Sequence, residues 1–293
     1  MNRKRMLLWG AVLAAVVVTS CGRSKKPVVV GSKDTTEQVL LGEIVAQHLE
    51  HRLGRKVGRS LSLGNTPVVY QAMMSGQIGM YPEETGTIQA TILKESPSAD
   101  VASELERVRN EMRRIAQMEV LDPLGIDNSW AIVIRKDDAD KIEALSDAVR
   151  VKEGWKLGVT RDFNERNDGL AALNLYRIPM AAAPRVADPT TLYGALEAGE
   201  LTMVAGNETD GTLDRHDEWK ELRDDKKVFG FYLTCMVVRA DLLANDPKIQ
   251  PALAELSGKL TNAVIRKLNA EVGVDHKKPA DVAAEFLKQA GLK

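Results

Sequence analysis

One pattern of residues occurs twice in this chain, and it constrains the fold more than any other feature. Residues 70–80 and 193–203 share tyrosine, alanine, glycine and methionine at the same offsets, and each copy is followed by a Glu-Thr turn. Each copy is typical of a helix that ends at a glycine and leads into a strand. The repetition therefore predicts two similar lobes. Because loops beyond the carboxyl ends of strands line the ligand crevice in open α/β sheets, we expect the two Glu-Thr turns to face each other across a cleft.

The remaining chain alternates short strand-like runs with amphipathic helices, which is typical of an α/β fold with mostly parallel sheets. A capping box of Asp34 and Glu37 predicts the start of one helix, and Gly76 predicts the end of the next. A charged helix is expected over residues 100–118, and three helices close the chain. Two lobes around a central cleft indicate capture of a ligand by hinge closure. Strands are predicted over residues 28–30, 78–81, 130–135, 155–160, 201–205 and 228–239.

The first 21 residues resemble the leader of a bacterial lipoprotein. A cationic stretch precedes an apolar run of 13 residues, 6–18, which is followed by a lipobox-like sequence ending in Cys21. This run is shorter than the roughly 20 residues that span a bilayer. We therefore predict a lipoprotein signal peptide over residues 1–20, lipidation of Cys21 and a tether over residues 21–27. The protein would be exported and lipid-anchored, facing the periplasm or the cell exterior. An ordinary secretory signal with an unrelated cysteine is the alternative.

The charge balance and the cysteine content exclude several classes of protein. With 40 Lys and Arg residues against 41 Asp and Glu residues, the chain lacks the basic excess that nucleic-acid binding requires. Two cysteines are too few for a disulfide framework or a four-cysteine zinc site. His48 and His51 lie one helical turn apart, but without acidic or thiol partners we interpret them as residues of a helix surface. No motif for a nucleophile elbow, a phosphate loop or a metalloprotease is present. We therefore predict a protein without catalytic residues, metal or cofactor.

Ordered motifs along the chain carry a family resemblance. Residues 31–38, Gly-Ser-Lys-Asp-Thr-Thr-Glu-Gln, resemble the opening of substrate-binding proteins from osmoprotectant ABC importers, which bind glycine betaine, carnitine or choline. Residues 81–87, Tyr-Pro-Glu-Glu-Thr-Gly-Thr, are similar to the Tyr-Pro-Glu-Tyr-Thr-Gly-Thr of that family. The resemblance covers essentially the whole chain after the tether. It continues in order through residues 63–66, 123–125, 128–131, Phe163 with Arg166, Asp168 and Gly169, 209–211, 224–226, 237–239 and 279–292.

This resemblance implies a two-lobed, type II periplasmic-binding-protein fold of the α/β class, in which the chain crosses a hinge twice. We place the crossings near residues 132–136 and 235–239. Lobe 1 would then comprise residues 28–133 and 238–293, and lobe 2 residues 134–237. The resemblance also implies a monomeric receptor that delivers a small quaternary-ammonium ligand to a membrane permease with a cytoplasmic ATPase. An aromatic cage holds such a ligand, because ring faces attract a cation that cannot donate hydrogen bonds.

The chain departs from the family pattern at the cage itself. Glu84 and Asn207 stand where the family has tyrosines, which leaves Trp130 and Tyr232 as cage aromatics, with Phe231 beside them. Carboxylates at this site would instead suit a cation that donates hydrogen bonds. The alternative roles are hinge packing for the aromatic residues and exposure on the turns for the acidic ones. The candidate ligand-binding residues are Ser32, Lys33, Asp34, Thr66, Glu84, Thr85, Trp130, Asn207, Glu208, Thr209, Asp210 and Tyr232.

The sequence therefore predicts an extracytoplasmic solute-binding lipoprotein of an ABC importer. It would close around a small quaternary-ammonium, cationic or zwitterionic solute of the glycine betaine or choline class. A pocket rewritten for a different, hydrogen-bonding cation is the first alternative. The others are a sensor subunit that signals to a membrane receptor and a secreted hydrolase of similar fold. Neighbouring permease and ATPase genes would favour transport over sensing.

Overall fold

The computed structural model describes residues 27–95 and 100–293. The predicted signal peptide, Cys21 and the tether up to residue 26 lie outside the described residues. Within the described ranges, no helix is long and apolar enough to cross a membrane. These residues form two five-stranded sheets with helices packed against them, as the predicted α/β class requires.

The first sheet consists of β1 (Val29–Gly31), β2 (Gly58–Ser60), β3 (Met80–Glu84), β4 (Met118–Asp127) and β10 (Leu233–Arg239). Their order is β2-β1-β3-β10-β4, with β1 parallel to both neighbours and β10 antiparallel to both. Side chains alternate along a strand, so Met236 and Val238 of β10 contact one hydrophobic core while Cys235 and Val237 contact another. Cores on both faces explain why this strand is continuously apolar over residues 235–238.

The second sheet consists of β5 (Trp130–Arg135), β6 (Leu157–Val159), β7 (Arg185–Val186), β8 (Met203–Asn207) and β9 (Trp219–Leu222). Its order, β7-β6-β8-β5-β9, repeats the arrangement of the first sheet. β6 is parallel to both neighbours, as β1 is, and β5 is antiparallel to both, as β10 is. The sheets are thus mixed rather than mostly parallel, because β5 and β10 each enter from the other sheet and run against the strands they join.

The α-helices are α1 (Thr36–Leu53), α2 (Thr66–Ser75), α3 (Thr85–Thr87), α4 (Val101–Ala116), α5 (Arg161–Glu165), α6 (Leu170–Leu173), α7 (Pro189–Glu197), α8 (Ala240–Asn245), α9 (Ile249–Ala254), α10 (Asn262–Gly273) and α11 (Pro279–Gln289). α2 ends at Gly76 before β3, and Gly199 follows α7 before β8. Both glycines have positive φ angles, 78° and 75°, which glycine adopts without steric penalty. β3 and β8 are the central strands of their sheets, so the predicted pair of similar units is confirmed.

Two segments of chain connect the sheets, and both lie earlier than the predicted crossings. β4 ends at Asp127 and β5 begins at Trp130, so the first connection is residues 128–129. The second connection, residues 223–232, joins β9 to β10. The predicted crossings at 132–136 and 235–239 instead fall within or at the end of strands that each pair inside one sheet. We call the part built on the first sheet lobe A and the part built on the second sheet lobe B.

Three local predictions in α1 are wrong. The helix is capped by the Thr35 side chain rather than by Asp34. Glu37 does not complete a capping box, because its carboxylate accepts a hydrogen bond from Asn269 Nδ2 at 2.7 Å. His48 is buried rather than exposed, and its Nε2 lies 2.8 Å from a backbone carbonyl oxygen of α9. The partners of Glu37 and His48 belong to the C-terminal helices α10 and α9, which no local pattern in α1 could reveal.

Candidate functional site

A cleft of about 770 Å³ lies between lobe A and lobe B. Its walls are loops and helix N-termini that follow the carboxyl ends of strands, as expected for open α/β sheets. Lobe A contributes the segments after β1, β2 and β3, and lobe B contributes those after β6, β7 and β8. The lining residues are Lys33, Asp34, Thr35, Asn65, Thr66, Pro67, Glu84, Thr87, Thr91, Asn128, Trp130, Thr160, Arg161, Asp162, Arg166, Val186, Ala187, Asp188, Pro189, Asn207 and Tyr232.

The cleft brings together part of the predicted ligand-binding set. The predicted residues that line it are Lys33, Asp34, Thr66, Glu84, Trp130, Asn207 and Tyr232. The predicted residues that do not line it are Ser32, Thr85, Glu208, Thr209 and Asp210. Those that line it lie on strand ends or helix N-termini, or at the connections between the lobes, so position in the fold decides which side chains reach the cleft.

Lys33, Glu83 and Glu84 form a buried ionic cluster in the lobe A wall. Lys33 Nζ lies 2.5 Å from Glu83 Oε1 and 2.5 Å from Glu84 Oε2. Gln38 Nε2 donates to the other oxygen of Glu84 at 2.7 Å. Burial raises the pKa of Glu83 to about 8. Burial also acts on Glu84, but Lys33 outweighs it and lowers the pKa of Glu84 to about 2. At neutral pH the cluster therefore carries one carboxylate charge against one ammonium charge.

The charge of Glu84 is thus already paired within the chain. Its predicted alternative as an exposed turn residue is wrong, because Glu84 is only 5% exposed. Burial would lower the pKa of Lys33, but the two carboxyl groups raise it above its ordinary value, so Lys33 remains an ammonium. Lys33 and Glu84 both line the cleft. They present a neutral, hydrogen-bonding pair to a ligand rather than an isolated negative charge.

Trp130 and Tyr232 form an aromatic corner at the lobe B side of the cleft. Their ring centroids are 6.1 Å apart, and Phe163 meets Trp130 edge-on at 5.1 Å. The guanidinium carbon of Arg166 lies 5.6 Å from the Trp130 ring centroid and 5.4 Å from that of Tyr232. These distances are within the range of cation–π attraction. Both rings therefore already face a cation that belongs to the chain.

A buried carboxylate holds Arg166 over these rings. Arg166 Nε and Nη2 donate to the two oxygens of Asp168 at 2.9 Å and 2.6 Å, a bidentate pair. Nη2 also donates to the Tyr232 hydroxyl at 2.9 Å, and that hydroxyl donates to Asp168. Burial would raise the pKa of Asp168, but Arg166 keeps it below its ordinary value. Arg166 Nη1 makes no hydrogen bond within the described part of the chain, so it is a donor available to a ligand.

The turn after β8 presents fewer groups to the cleft than predicted. Asn207 lines the cleft, but Asp210 Oδ2 accepts a hydrogen bond from Asn207 N at 3.0 Å and is used in closing the turn. Thr209 Oγ1 donates to Asn128 Oδ1 at 2.7 Å. The Glu208 carboxylate lies 3.5 Å from an arginine of α10. The two Glu-Thr turns therefore do not present matching groups to the cleft, because the side chains of the second turn are hydrogen-bonded or ion-paired to other parts of the protein.

Ser32 and Thr85 shape the lobe A loops rather than the cleft surface. Ser32 Oγ donates to Lys33 O at 2.8 Å and accepts from Ser62 N at 3.0 Å. Thr85 Oγ1 donates to Phe231 O at 3.4 Å. Each hydroxyl is thus used by the backbone of a neighbouring segment.

Four N-cap residues line the cleft although they are not among the predicted ligand-binding residues. They are Thr35, Asn65, Thr160 and Asp188, which precede α1, α2, α5 and α7. Backbone N–H groups at a helix N-terminus lack intrahelical acceptors and favour an anionic group. The sequence did contain a signal for them, since each lies between the end of a strand and the start of a helix.

Carboxylates also line the cleft and complement these anion-favouring groups. Asp34 belongs to lobe A, and Asp162 and Asp188 belong to lobe B. Arg166, with its free Nη1 donor, lines the same cleft. Among the residues described, no group of three or more His, Cys, Asp or Glu side chains is placed to hold a metal ion. The arrangement suits a small organic ligand that carries both a positive and a negative group.

Comparison with known proteins gives a family model, relatives and solved structures. The model of the substrate-binding domain of ABC-type glycine betaine transport systems matches residues 26–289. The glycine betaine-binding protein YehZ of Escherichia coli (strain K12) is 31% identical over 305 residues, covering 97% of each chain. The ergothioneine transport permease/ergothioneine binding protein EgtU of Helicobacter pylori (strain G27) is 29% identical over 272 residues. That match covers 92% of this chain and 48% of the longer relative. The crystal structure of a glycine betaine/carnitine/choline ABC transporter protein superposes with a TM-score of 0.82 at 26% identity, covering 90% of this chain and 99% of that one.

Proposed function

Because this chain belongs to the family of substrate-binding domains of ABC-type glycine betaine transport systems, we propose that it captures a small zwitterionic or cationic amine and delivers it to a permease. The family resemblance and the type II periplasmic-binding-protein fold expected from the sequence are confirmed. The observation that carries the proposal is the cleft between the lobes, which is lined by helix N-termini and Arg166 together with the carboxylates of Asp34 and Asp162. Relatives named for glycine betaine and ergothioneine support the ligand class.

Capture follows from the placement of polar groups on both walls. Lys33 lies on lobe A and Arg166 on lobe B, so one small ligand can contact groups of both lobes. A ligand that binds both walls stabilises the closed arrangement and shifts the population towards it. The connections at residues 128–129 and 223–232 are where the backbone would bend. A permease can then distinguish loaded from empty receptor by shape.

The position of Arg166 favours a more specific ligand class than quaternary ammonium compounds. A trimethylammonium group would need the ring faces of Trp130 and Tyr232, which lie 5.6 Å and 5.4 Å from the Arg166 guanidinium. Two cations on the same rings repel each other. An ammonium group with N–H donors can bind carboxylates such as Asp34 instead. The second candidate is therefore a receptor that prefers a hydrogen-bonding amine to its N-methylated counterpart.

Ligand pairs that differ only in N-methylation test both candidates. Glycine against glycine betaine, and ethanolamine against choline, are titrated calorimetrically into the mature chain carrying Cys21→Ser. We expect measurable binding, with the unmethylated member of a pair tighter by about tenfold, or roughly 1.4 kcal/mol.

Tighter binding of glycine betaine or choline would contradict the preference for a hydrogen-bonding amine and leave the receptor function intact. If none of these compounds binds, and carnitine and ergothioneine also leave the melting temperature unchanged, the proposed receptor function is wrong.

Export and lipid anchoring through Cys21 belong to the same proposal. The leader-like residues 1–20 support them, together with the lipobox-like sequence that ends in Cys21. We also propose that the receptor is a monomer. In a bacterium that expresses the full chain, we expect the protein to sediment with the membrane fraction. Cys21→Ser should release it from the membrane fraction, because stable anchoring needs acyl chains. Cys235→Ser is the matched control, since Cys235 is buried and should not affect localisation. Membrane retention of the Cys21→Ser protein would contradict the anchor.

A further inference from the structure

Side chains of helix α10 in lobe A form hydrogen bonds with the turn that follows β8 in lobe B. Arg266 Nε lies 2.9 Å from the carbonyl oxygen of Glu208, and Arg266 Nη2 lies 2.5 Å from the same atom. Asn269 Nδ2 donates to the carbonyl oxygen of the next residue, Thr209, at 2.9 Å. Two consecutive backbone carbonyl groups of lobe B are thus held by side chains of lobe A. We call Arg266, Asn269 and the turn at residues 208–211 the lobe latch.

Close packing and further polar contacts reinforce the lobe latch. A Cβ atom on Gly211 would lie 2.4 Å from Ala270 N, so only glycine allows this approach of the turn to α10. Asn269 is 7% exposed and also donates to Glu37 Oε2 of α1 at 2.7 Å. Arg266 Nη1 lies 2.9 Å from Glu221 Oε1 of β9. The latch therefore connects two helices of lobe A with a turn and a strand of lobe B.

The same turn also positions groups that line the cleft. Asn207, the residue before the latch, lines the cleft, and its Nδ2 donates to Asn128 O at 3.2 Å. Thr209, whose carbonyl oxygen is held by Asn269, donates through Oγ1 to Asn128 Oδ1 at 2.7 Å. Asn128 lies in the first connection between the lobes and also lines the cleft. A shift of the turn relative to α10 would therefore move both cleft-lining asparagines.

We infer that Arg266 is a positioning residue, which fixes the orientation of lobe B on lobe A from outside the cleft and thereby sets ligand affinity. Two covalent connections alone allow a hinge to bend over a range of angles. A third, noncovalent link narrows that range in the empty protein. It also holds Asn207 and Asn128 in place before the ligand arrives, and such preorganisation increases affinity. The affinity part of this inference rests on the proposed function, whereas the lobe orientation does not.

Distances between the lobes in the empty protein test the inference directly. Spin labels on Met74→Cys of lobe A and Leu175→Cys of lobe B report the separation, because these residues are 46% and 65% exposed and lie outside the cleft. Cys235 is buried and its pKa is raised by burial to about 12, so it resists labelling. The labelled protein is the mature chain carrying Cys21→Ser. We expect a narrow distance distribution in this protein and a clearly broader one when Arg266→Met is added.

Two further variants complete the design. Arg113→Met removes an exposed arginine of α4 that pairs with Glu119 inside lobe A, and it should leave the distribution unchanged. Gly211→Ala should also broaden the distribution, because the added Cβ atom pushes the turn away from α10 while Arg266 is unchanged. This variant replaces Arg266→Met in the test if Arg266→Met fails to fold. An unchanged distribution in both latch variants would overturn the inference.

Affinity for a titrated probe completes the test. The probe is the tightest binder among glycine, glycine betaine, ethanolamine and choline, and we expect its affinity to fall several-fold in unlabelled Arg266→Met. Equal affinity despite a broader distribution would overturn the link to binding. Failure of the unmutated protein to bind any probe would count against the proposed function and leave the lobe latch to be judged by the distances.

Discussion

Replacing Lys33 with methionine is expected to lower the free energy of unfolding by about 3–5 kcal/mol. The Lys33 ammonium lies 2.5 Å from a carboxylate oxygen of both Glu83 and Glu84, whose side chains are 0% and 6% exposed. Without the ammonium, two buried carboxyl groups would adjoin each other with no cation beside them. Urea denaturation of the mature chain carrying Cys21→Ser, with and without Lys33→Met, measures the loss.

The pH dependence separates this electrostatic loss from a loss of packing. In the unsubstituted protein burial opposes ionisation of Glu84, but Lys33 holds its pKa at about 2, below the ordinary value of 4.5. The stability contributed by Glu84 is therefore full above about pH 4.5 and is lost only as the pH falls towards 2. In Lys33→Met, burial dominates and raises the pKa of Glu84, so stability is lost as the pH rises through that value. The gap between variant and parent should thus shrink as the pH falls from 8 to 5.

Two companion variants make the result interpretable. Lys33→Met with Glu84→Gln should regain much of the lost stability, because the carboxylate that lacks a cation is then gone. Lys220→Met is the surface control: Lys220 Nζ lies 2.5 Å from Glu143, which is 70% exposed, and such pairs contribute about 1 kcal/mol or less. A Lys33→Met loss no larger than that of Lys220→Met, and independent of pH, would contradict the buried ionic cluster.

The repeated units of the fold were predictable from sequence, whereas the connections between the lobes were not. Gly76 and Gly199 mark helix ends at the same offset in both units because each needs a left-handed backbone conformation, and that requirement is local. The crossings depend on which sheet a strand joins. Residues 130–135 and 233–239 are both mainly apolar. A strand whose side chains are buried on both faces has the same apolar pattern in either sheet, so its sequence does not indicate which sheet it joins.

Cleft-lining residues were predictable from sequence where they lie at the end of a strand. Glu84 and Asn207 end their strands β3 and β8 and line the cleft as expected. Glu208 does not, because the turn after β8 is held by α10, which follows about sixty residues later in the chain. The placement of Arg166 over Trp130 was equally hidden, since it depends on the tertiary positions of Trp130 and of the Tyr232 hydroxyl. Contacts between residues that lie far apart in the chain leave no recognisable spacing pattern in the sequence.

Removing Arg166 is expected to have two effects that can be separated. Arg166→Met leaves the Asp168 carboxylate, 2% exposed, without its cation and should cost about 3–5 kcal/mol of unfolding free energy. Arg166→Met combined with Asp168→Asn should regain most of that loss, because no buried charge then lacks a partner. Urea denaturation of the single and double variants measures both values. A single variant as stable as the parent would show that the pair is not buried in solution.

Ligand binding in the double variant tests whether Arg166 occupies the aromatic corner. Both glycine and glycine betaine lose the Nη1 donor, so the ratio of their affinities isolates the change at the rings. With Arg166 gone, the faces of Trp130 and Tyr232 are open to a trimethylammonium group, and each contact contributes about 0.5–2 kcal/mol. The ratio should therefore shift towards glycine betaine by about tenfold. Adding Trp130→Ala should abolish that shift. If the ratio is the same with and without Arg166, the guanidinium does not compete for the rings, and the preference for a hydrogen-bonding amine loses its physical basis.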